Sequence, residues 1–196
     1  MFDSAMLLKK KALASTPTTW SPTLKASSVT VTNSNLRANC GQSGGACFAT
    51  LSQTSGKWYY EVKLTQFESG IYMPMIGLGT TTTPFQSPWN TGSYEMFWYY
   101  GGSGSAQFIY GSNQRFNYGT TPKQGDIVGV ALDMTAKTIY WILNGVAQPL
   151  IGWGANNYSA GTVFYPVCAS PNSATAATVV DWQPSPLYCP SGYGLW

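Results

Sequence analysis

The sequence contains no histidine, and this absence excludes many familiar enzyme mechanisms. Without an imidazole, the chain lacks the usual general base of enzymes, the histidine of nucleophilic triads and the histidine ligand of many zinc and iron sites. The four cysteines form no CxxC pair, so a thiolate zinc site has poor spacing support. The oxygen-ligand cluster that calcium prefers is also missing. We therefore predict a protein that is not an enzyme, binds no metal and needs no cofactor.

Charged residues are scarce as well. They make up 9% of the 196 residues, and the formal net charge is +3. Three of the lysines, Lys9, Lys10 and Lys11, stand together near the N-terminus, and the rest of the chain is nearly neutral. Nucleic-acid binding normally needs a basic stripe that neutralises several phosphates. The sequence therefore predicts no nucleic-acid partner.

The few acidic residues offer little support for a glycosidase, which needs a pair of carboxyl groups. We expect Glu61 on the solvent side of a strand, and Asp126 as the cap of a turn before a strand. Glu68 and Glu95 fall in expected loops, where a surface or turn position is the ordinary interpretation. No nucleophile elbow, phosphate-binding loop or dinucleotide fingerprint precedes a helix. Hydrolysis and nucleotide binding therefore lack motif support.

Long apolar runs are absent too, because no stretch approaches the roughly 18 residues of a membrane span. At the N-terminus the short apolar patch precedes the lysines, which is the wrong order for a secretory signal. We expect a protein made in the cytoplasm of its producing cell, without membrane insertion.

The four cysteines are expected to be small buried apolar side chains. A disulfide between Cys40 and Cys47, across the turn GQSGGA, is the alternative that the sequence leaves open.

Aromatic and β-favouring residues are what the sequence does have: 44% of the residues are hydrophobic and 15% are aromatic. Alternation of apolar and polar residues predicts strands in SSVTVTNSNL, ACFATLS and KWYYEVKLTQF. Residues 126–146 predict a hairpin with its turn at residues 134–137. No long helical periodicity follows residue 16. We predict an all-β domain over residues 17–196, preceded by an N-terminal extension over residues 1–16.

Five phrases occur in order: SGKWYYEV (55–62), IGLGT (76–80), GDIVGVALDM (125–134), IYWILNGV (139–146) and YPV (165–167). Taken in this order they resemble the SPRY family, over approximately residues 18–181. The resemblance implies a bent antiparallel β-sandwich of the concanavalin-like jelly-roll type. Trp58, Tyr60 and Val62 are then expected to share one strand face and to pack between the sheets.

The flanks, residues 16–38 and CPSGYGLW at the C-terminus, are similar to SPRY proteins of tailed bacterial viruses (bacteriophages). This similarity implies a place on the virion exterior, in a fibre or decoration protein. The implied partners are other virion structural proteins, and the implied assembly is a homo-oligomer. The N-terminal extension then becomes a candidate virion-anchoring segment. Its candidate anchoring residues are Met6, Leu7, Leu8, Lys9, Lys10 and Lys11.

Aromatic loops supply the candidate binding surface. The stretch between residues 80 and 121 is rich in Trp, Tyr, Gly, Ser and Asn, and it includes two expected strands, FWYYGG and AQFIYGS. Many aromatic side chains must fill the core, but exposed Trp and Tyr provide flat amphipathic contact area at low entropy cost. The candidate ligand-binding residues are Tyr72, Trp89, Tyr94, Trp98, Trp153, Asn156 and Tyr158.

Two functions agree with these observations. The first is a non-enzymatic module of the virion surface that attaches to the host by recognising a cell-surface carbohydrate or protein through its aromatic loops. The alternative is a purely structural decoration or connector protein, whose aromatic surface packs against a neighbouring capsid or tail subunit.

Overall fold

The computed structural model of the chain describes residues 17–41, 43–67, 74–80, 97–102, 105–110, 114–152, 161–172 and 177–196. These residues form strands, turns and connecting segments, with no helix among them. In chain order the strands are β1 (Trp20–Lys25), β2 (Thr30–Thr32), β3 (Arg37–Asn39), β4 (Ser43–Ala49), β5 (Lys57–Gln66), β6 (Met75–Gly79), β7 (Phe97–Gly102), β8 (Ser105–Tyr110), β9 (Gln114–Asn117), β10 (Ile127–Asp133), β11 (Thr138–Leu143), β12 (Val146–Ala147), β13 (Ile151–Gly152), β14 (Tyr165–Asn172), β15 (Val179–Trp182) and β16 (Gly194–Leu195).

The strands form two sheets that pack face to face. The first sheet has the order β1-β4-β14-β6-β7-β8-β9. The second has the order β12-β11-β10-β5-β15-β3-β2, with β13 added beside β11 and β16 beside β5. Neighbouring strands are antiparallel, except that β16 runs parallel to β5. The predicted fold class, an all-β antiparallel sandwich, is confirmed.

The central hairpin forms where the sequence predicts it. β10 and β11 pair from Val128 opposite Leu143 to Asp133 opposite Thr138. The connecting turn spans residues 134–137, and Lys137 closes it with a φ of 54°. Two short strands, β7 and β8, also pair within the aromatic stretch, as FWYYGG and AQFIYGS predict.

The main core lies between the two sheets. On β5, Tyr60 and Val62 are buried in this core, with Trp58 packed against it, so the predicted common face of these residues is confirmed. Buried aromatic side chains also join the sheets by hydrogen bonds. The Trp141 indole donates to the carbonyl oxygen of Ile76 at 2.8 Å. These polar tips find partners inside the core, which is the usual condition for burying Trp and Tyr.

The outer face of the second sheet is covered by residues 183–196, which we call the C-terminal strap. Tyr59, Ala131 and Ile142 form a buried cluster on this face. Cys189 and Tyr193 of the strap pack against them. The second sheet is therefore buried on both faces around β5.

The position of Glu61 contradicts the expectation of a solvent-facing side chain. Glu61 is 0% exposed. Its carboxylate accepts hydrogen bonds from the Tyr59 hydroxyl at 2.6 Å and from the backbone N–H groups of Leu187 and Tyr188 at 2.8 and 2.6 Å. The alternation correctly placed Glu61 on the outer face of its strand. The expectation was wrong because the strap covers that face.

All four cysteines are free thiols. Cys40, Cys47 and Cys168 are buried in the core, as expected, and Cys189 is half-buried. The sulfur of Cys40 lies 3.8 Å from the sulfur of Cys168, which belongs to the opposite sheet. The alternative of a Cys40–Cys47 disulfide is therefore not realised.

Candidate functional site

The loop residues selected from the sequence fall almost entirely outside the described part of the chain. Trp98 lies on β7, where its backbone is opposite Gly77 and Ile109, but its side chain is not described. The remaining candidates lie entirely outside the described residues. They are Tyr72, Trp89, Tyr94, Trp153, Asn156, Tyr158 and the anchoring candidates at residues 6–11. Their roles stay predictions.

A cavity of about 390 Å³ opens where the first described residues meet the last ones, and we call it the terminal pocket. Its lining residues are Pro17, Thr18, Leu51, Gln53, Trp58, Tyr59, Tyr60, Trp182, Gln183, Pro184, Pro186, Leu195 and Trp196. No charged side chain is among them. The pocket is therefore aromatic and apolar, with a few neutral polar groups.

The pocket exists because two strands share one edge of β5. β15 pairs with β5 until Trp182 lies opposite Val62. The strap then leaves the sheet, and β16 returns beside β5 with Gly194 opposite Trp58. The space between the departing and the returning strand becomes the pocket.

A continuous series of aromatic contacts connects the core to the pocket. Trp20 meets Trp182 edge to face at 5.2 Å, and Trp182 stacks on Tyr60 at 5.3 Å. Tyr60 meets Trp196 edge to face at 6.0 Å, and Trp196 lies 6.2 Å from Trp58. The pocket wall is thus held in place by the packed core, which favours a preformed binding site.

Most polar tips of these aromatic residues have internal partners, but two polar atoms of the lining do not. The Trp58 indole donates to the carbonyl oxygen of Ser55 at 2.6 Å. By contrast, Oγ1 of Thr18 and Nε1 of Trp196 have no hydrogen-bond partner. Thr18 is 4% exposed and Trp196 is 7% exposed. Both atoms are inaccessible to solvent, so they do not face the open cavity. A buried polar group without a partner costs about 1–3 kcal/mol, so both atoms are unusual in a folded protein.

The chemistry of the pocket favours binding over catalysis. Its titratable side chains are Tyr59 and Tyr60, and burial raises the pKa of both hydroxyls, so they stay neutral. At the rim, Leu51 is 41% exposed and Leu195 is 51% exposed. Apolar side chains left in contact with water around an aromatic cavity are typical of a protein-binding surface.

The described carboxylates serve the scaffold. Asp126 accepts hydrogen bonds from the Lys123 backbone at 2.6 Å and from the Asn144 side chain at 2.8 Å, so its predicted capping role is confirmed. Asp133 caps the hairpin turn and forms an ion pair with Lys57 at 2.8 Å.

No group of three or more potential metal ligands occurs in the described residues. The described segments also include no helix of the length and hydropathy needed to cross a membrane.

Sequence reasoning missed the terminal pocket because its walls are far apart in the chain. Residues near 18, 52, 59 and 190 meet there, and no local pattern connects them. Two signals were available in the last segment. The paired prolines Pro184 and Pro186 indicate an irregular, extended segment, and the isolated Trp196 after a glycine-rich stretch indicates an aromatic anchor.

Comparison with known proteins gives a consistent family signal. A family model described as "SPRY domain" matches residues 57–180. The dual specificity protein kinase splA of Dictyostelium discoideum is 28% identical over 149 residues, which cover 73% of this chain. The match spans only 6% of the length of that kinase.

Solved structures show the same fold. The SPRY domain of human HERC1 matches with a TM-score of 0.70 and 20% identity, covering 86% of this chain and 99% of that one. The TRIM65 PSpry domain matches with a TM-score of 0.62 and 14% identity, covering 86% and 92%. Stonustoxin matches with a TM-score of 0.58 and 13% identity, covering 86% of this chain and 27% of the toxin chain. At these identities the similarity concerns the fold alone.

Proposed function

Because the chain belongs to the SPRY domain family, we propose that it binds another protein in the terminal pocket and catalyses no reaction. SPRY domains are in general interaction modules rather than enzymes. The observation that carries the choice of site is the aromatic wall of the cavity, with Trp58 and Trp196, beside the exposed side chains of Leu51 and Leu195.

The composition of the pocket supports a protein ligand. Trp and Tyr are the residue types that most often dominate binding energy at protein interfaces, particularly when they line well-packed pockets. Here Trp58 and Trp196 stand in the wall, and Leu51 and Leu195 extend the apolar surface at the rim. A partner side chain inserted between them would exclude water on all sides.

The position on a virion exterior stays a prediction, supported by the resemblance of the two flanking segments to viral SPRY proteins. The same holds for a host-cell glycan as ligand, for other virion subunits as partners and for a homo-oligomer. The proteins that resemble this chain include a kinase by sequence and a toxin by fold, so domains of this fold occur in proteins of very different kinds. A binding module of this type would suit either predicted virion role.

A selection with a displayed random-peptide library tests the proposed function. The bait is the full chain, and the comparison variant carries Leu51→Asp together with Leu195→Asp, which places two charges at the rim without changing a buried residue. We expect enriched peptides that bind the wild type and bind the rim variant at least tenfold more weakly, because the desolvation of a carboxylate opposes apolar contact.

Leu150→Asp is the matched control, because Leu150 is 64% exposed and does not line the pocket. Peptides should bind this variant as well as the wild type. Circular dichroism should show the same fold for all three proteins. Peptides that bind the rim variant and the wild type equally would place the binding surface elsewhere and contradict the assignment to the pocket.

A further inference from the structure

The C-terminal strap supplies one wall of the terminal pocket, although its middle is held elsewhere. Pro184, Pro186, Leu195 and Trp196 line the pocket and belong to the strap. Between these two ends, hydrogen bonds to Glu61 hold the strap on the outer face of the second sheet. A change at Glu61 therefore acts on the pocket wall from outside the pocket.

The Glu61 carboxylate is a buried acceptor with three donors. The Tyr59 hydroxyl and the Tyr188 amide donate to Oε1, each at 2.6 Å, and the Leu187 amide donates to Oε2 at 2.8 Å. Glu61 is 0% exposed, and neither ion pair of the described residues includes it. Hydrogen bonds from the strap and from Tyr59 are therefore the contacts that stabilise its negative charge.

Gly129 makes room for this arrangement. It lies opposite Glu61 on β10, and a Cβ atom at this position would overlap the Tyr59 hydroxyl. Any other side chain there would displace the hydroxyl from the carboxylate. Groups from β5, β10 and the strap thus meet at one acceptor, and we call this set the strap latch (Tyr59, Glu61, Gly129, Leu187 and Tyr188).

A proton on Glu61 weakens the strap latch in two ways. The carboxyl loses its charge, and charge-assisted hydrogen bonds are roughly twice as strong as neutral ones. The protonated oxygen also becomes a donor, although the groups that face it, two amides and a hydroxyl, donate as well. At least one of these groups then lacks its acceptor inside the protein, which destabilises the closed strap.

Other titratable groups share the outer face around Glu61. They are Lys57 and Lys63 on β5, Asp133 on β10, Tyr140 on β11, Asp181 on β15 with its partner Arg37 on β3, and Cys189 and Tyr193 on the strap. Burial, and then the charge of Glu61, raises the pKa of the Cys189 thiol, so this group carries no charge in acid. Lysine, arginine and tyrosine side chains ordinarily titrate in the alkaline range.

Asp133 and Asp181 are therefore the alternatives to Glu61 as acid-sensitive groups of this face. Burial alone would raise the pKa of Asp133, but hydrogen bonds from the Ala136 amide and from Lys57 lower it overall. The hydrogen bond from Arg37 lowers the pKa of Asp181. Each of these carboxylates thus has partners of its own, whereas the carboxylate that holds the middle of the strap is Glu61.

We propose, building on the proposed function, that Glu61 is an acid-sensitive latch for the terminal pocket. At neutral pH its carboxylate holds the strap, and the pocket is complete. When Glu61 binds a proton in acid, the strap leaves the outer face, and the wall formed by Pro184 and Pro186 leaves with it. The domain therefore binds its protein partner at neutral pH and releases it in acid. By linkage, a bound partner keeps the strap closed to a lower pH.

Hydrogen exchange of the full chain tests the latch without any ligand. Exchange of the Leu187 and Tyr188 amides is followed by NMR from neutral to acid pH. Each rate is divided by the rate of an unstructured peptide at the same pH, so that only the opening of the strap is compared. We expect the protection of both amides to fall about tenfold or more in acid, because their acceptor is lost. Amides of β10 and β11 should keep their protection.

Glu61→Gln separates the latch from other effects of acid. The amide keeps the shape of the carboxyl but cannot change its charge, so strap protection should be low and nearly independent of pH. Asp133→Asn and Asp181→Asn remove the other carboxyls of the face, and both variants should still release the strap in acid. A pH dependence that survives in Glu61→Gln, or that disappears in Asp133→Asn, would overturn the proposal.

Tyr59→Phe tests the latch even if Glu61→Gln does not fold. It keeps the aromatic ring and removes one donor to the carboxylate, so the charged form of Glu61 is less favoured. The strap should then be released at a higher pH than in the wild type. Release at an unchanged pH would contradict the role of the carboxylate charge.

Peptides selected from the displayed library for dependence on Leu51 and Leu195 connect the latch to the pocket. Their affinity should fall over the pH range in which the strap loses protection, and a constant affinity over that range would contradict the proposal. If the strap keeps its protection in acid while these peptides bind, the latch is wrong and the protein-binding pocket stands. If the strap is released but no peptide depends on the rim, the proposed function is wrong, and the control of binding fails with it.

Discussion

Asp181 organises a small polar network on the outer face of the second sheet. Arg37, opposite it on β3, donates from Nε and Nη2 to its two carboxylate oxygens at 2.7 and 2.8 Å. The Thr65 hydroxyl donates to the same carboxylate at 2.7 Å. The hydrogen bond from Arg37 lowers the pKa of the Asp181 carboxyl, although burial opposes this change. The network joins three strands, β3, β15 and β5.

At the residue scale we predict that Asp181→Asn lowers the free energy of unfolding at neutral pH by about 1 kcal/mol. The effect is modest because the side chain of Arg37 is 42% exposed and water screens the pair. Since the folded-state pKa lies below the unfolded value of about 4, the carboxylate stabilises the fold above that value. The stabilisation is lost as the pH falls through the folded pKa. Urea titrations of both proteins across this pH range measure the difference.

Arg37→Gln provides the matched comparison for Asp181→Asn. The double variant should lose little more stability than either single variant, because both changes break the same interaction. Simply additive losses, or a difference that persists in strong acid, would show that the ion pair is not the source of the effect.

At the scale of elements, the C-terminal strap shows what a sequence pattern can and cannot provide. Alternation along β5 correctly predicted that Trp58, Tyr60 and Val62 face inward, because side-chain direction in a strand is a local property. The exposure of Glu61 was predicted wrongly, because it depends on a segment more than a hundred residues away. Local periodicity gives the face of a strand, and distant segments decide what covers that face.

We predict that Glu61→Ala releases the strap. The Leu187 and Tyr188 amides lose their acceptor, so their hydrogen exchange should accelerate at least tenfold, corresponding to the loss of about 1.4 kcal/mol or more. Amides of β10 and β11 should change only as far as global stability changes. Exchange measured by NMR on the folded protein distinguishes these two groups.

Asn39→Ala is a suitable control, because it also removes a side-chain oxygen that accepts a backbone N–H, here from Gly41, but on β3, which pairs with β15 and β2 rather than with β5. It should leave the exchange of Leu187 and Tyr188 unchanged. Equal acceleration in both variants would mean that the strap opens only by global unfolding and that Glu61 has no particular part in holding it.

At the scale of the whole molecule, three buried thiols report on whether the two sheets separate together. Cys47 on β4 and Cys168 on β14 belong to the first sheet, and Cys40 directly follows β3 of the second. Burial raises the pKa of the thiols of Cys47 and Cys168. The thiolate is the reactive form, and all three residues are 0% exposed, so none of the three should react while the sandwich is closed.

We predict that a thiol reagent modifies Cys189 first, since it is half-buried in the strap, and modifies the other three later at one common rate. The common rate reflects cooperative unfolding of a single core. Timed labelling followed by peptide mass spectrometry gives the rate at each cysteine. Cys40 reacting well before Cys168 would mean that the second sheet opens by itself.

The fold of the whole chain was more predictable than its candidate site. Alternation and turn residues were enough to predict the all-β class, and the resemblance carried by the five phrases implied the sandwich. Asn144 and Gly145, both with positive φ, form the turn after β11. The terminal pocket is lined by Thr18, Trp58 and Trp196, which no spacing rule connects. The loop aromatics were predicted to bind a ligand from composition alone. Composition does not distinguish a tryptophan in the core from a tryptophan in the wall of a pocket.

The position of the terminal pocket affects any chain joined to this domain. Pro17 and Trp196 line the same cavity, although they stand at opposite ends of the described sequence. Any segment that adjoins Pro17 or Trp196 in the chain therefore starts within reach of the pocket, and a short flexible tether gives it a local concentration in the millimolar range. A tethered sequence with weak intrinsic affinity would then fill the pocket and compete with free ligands, so the choice of fusion partner sets the apparent affinity of the module.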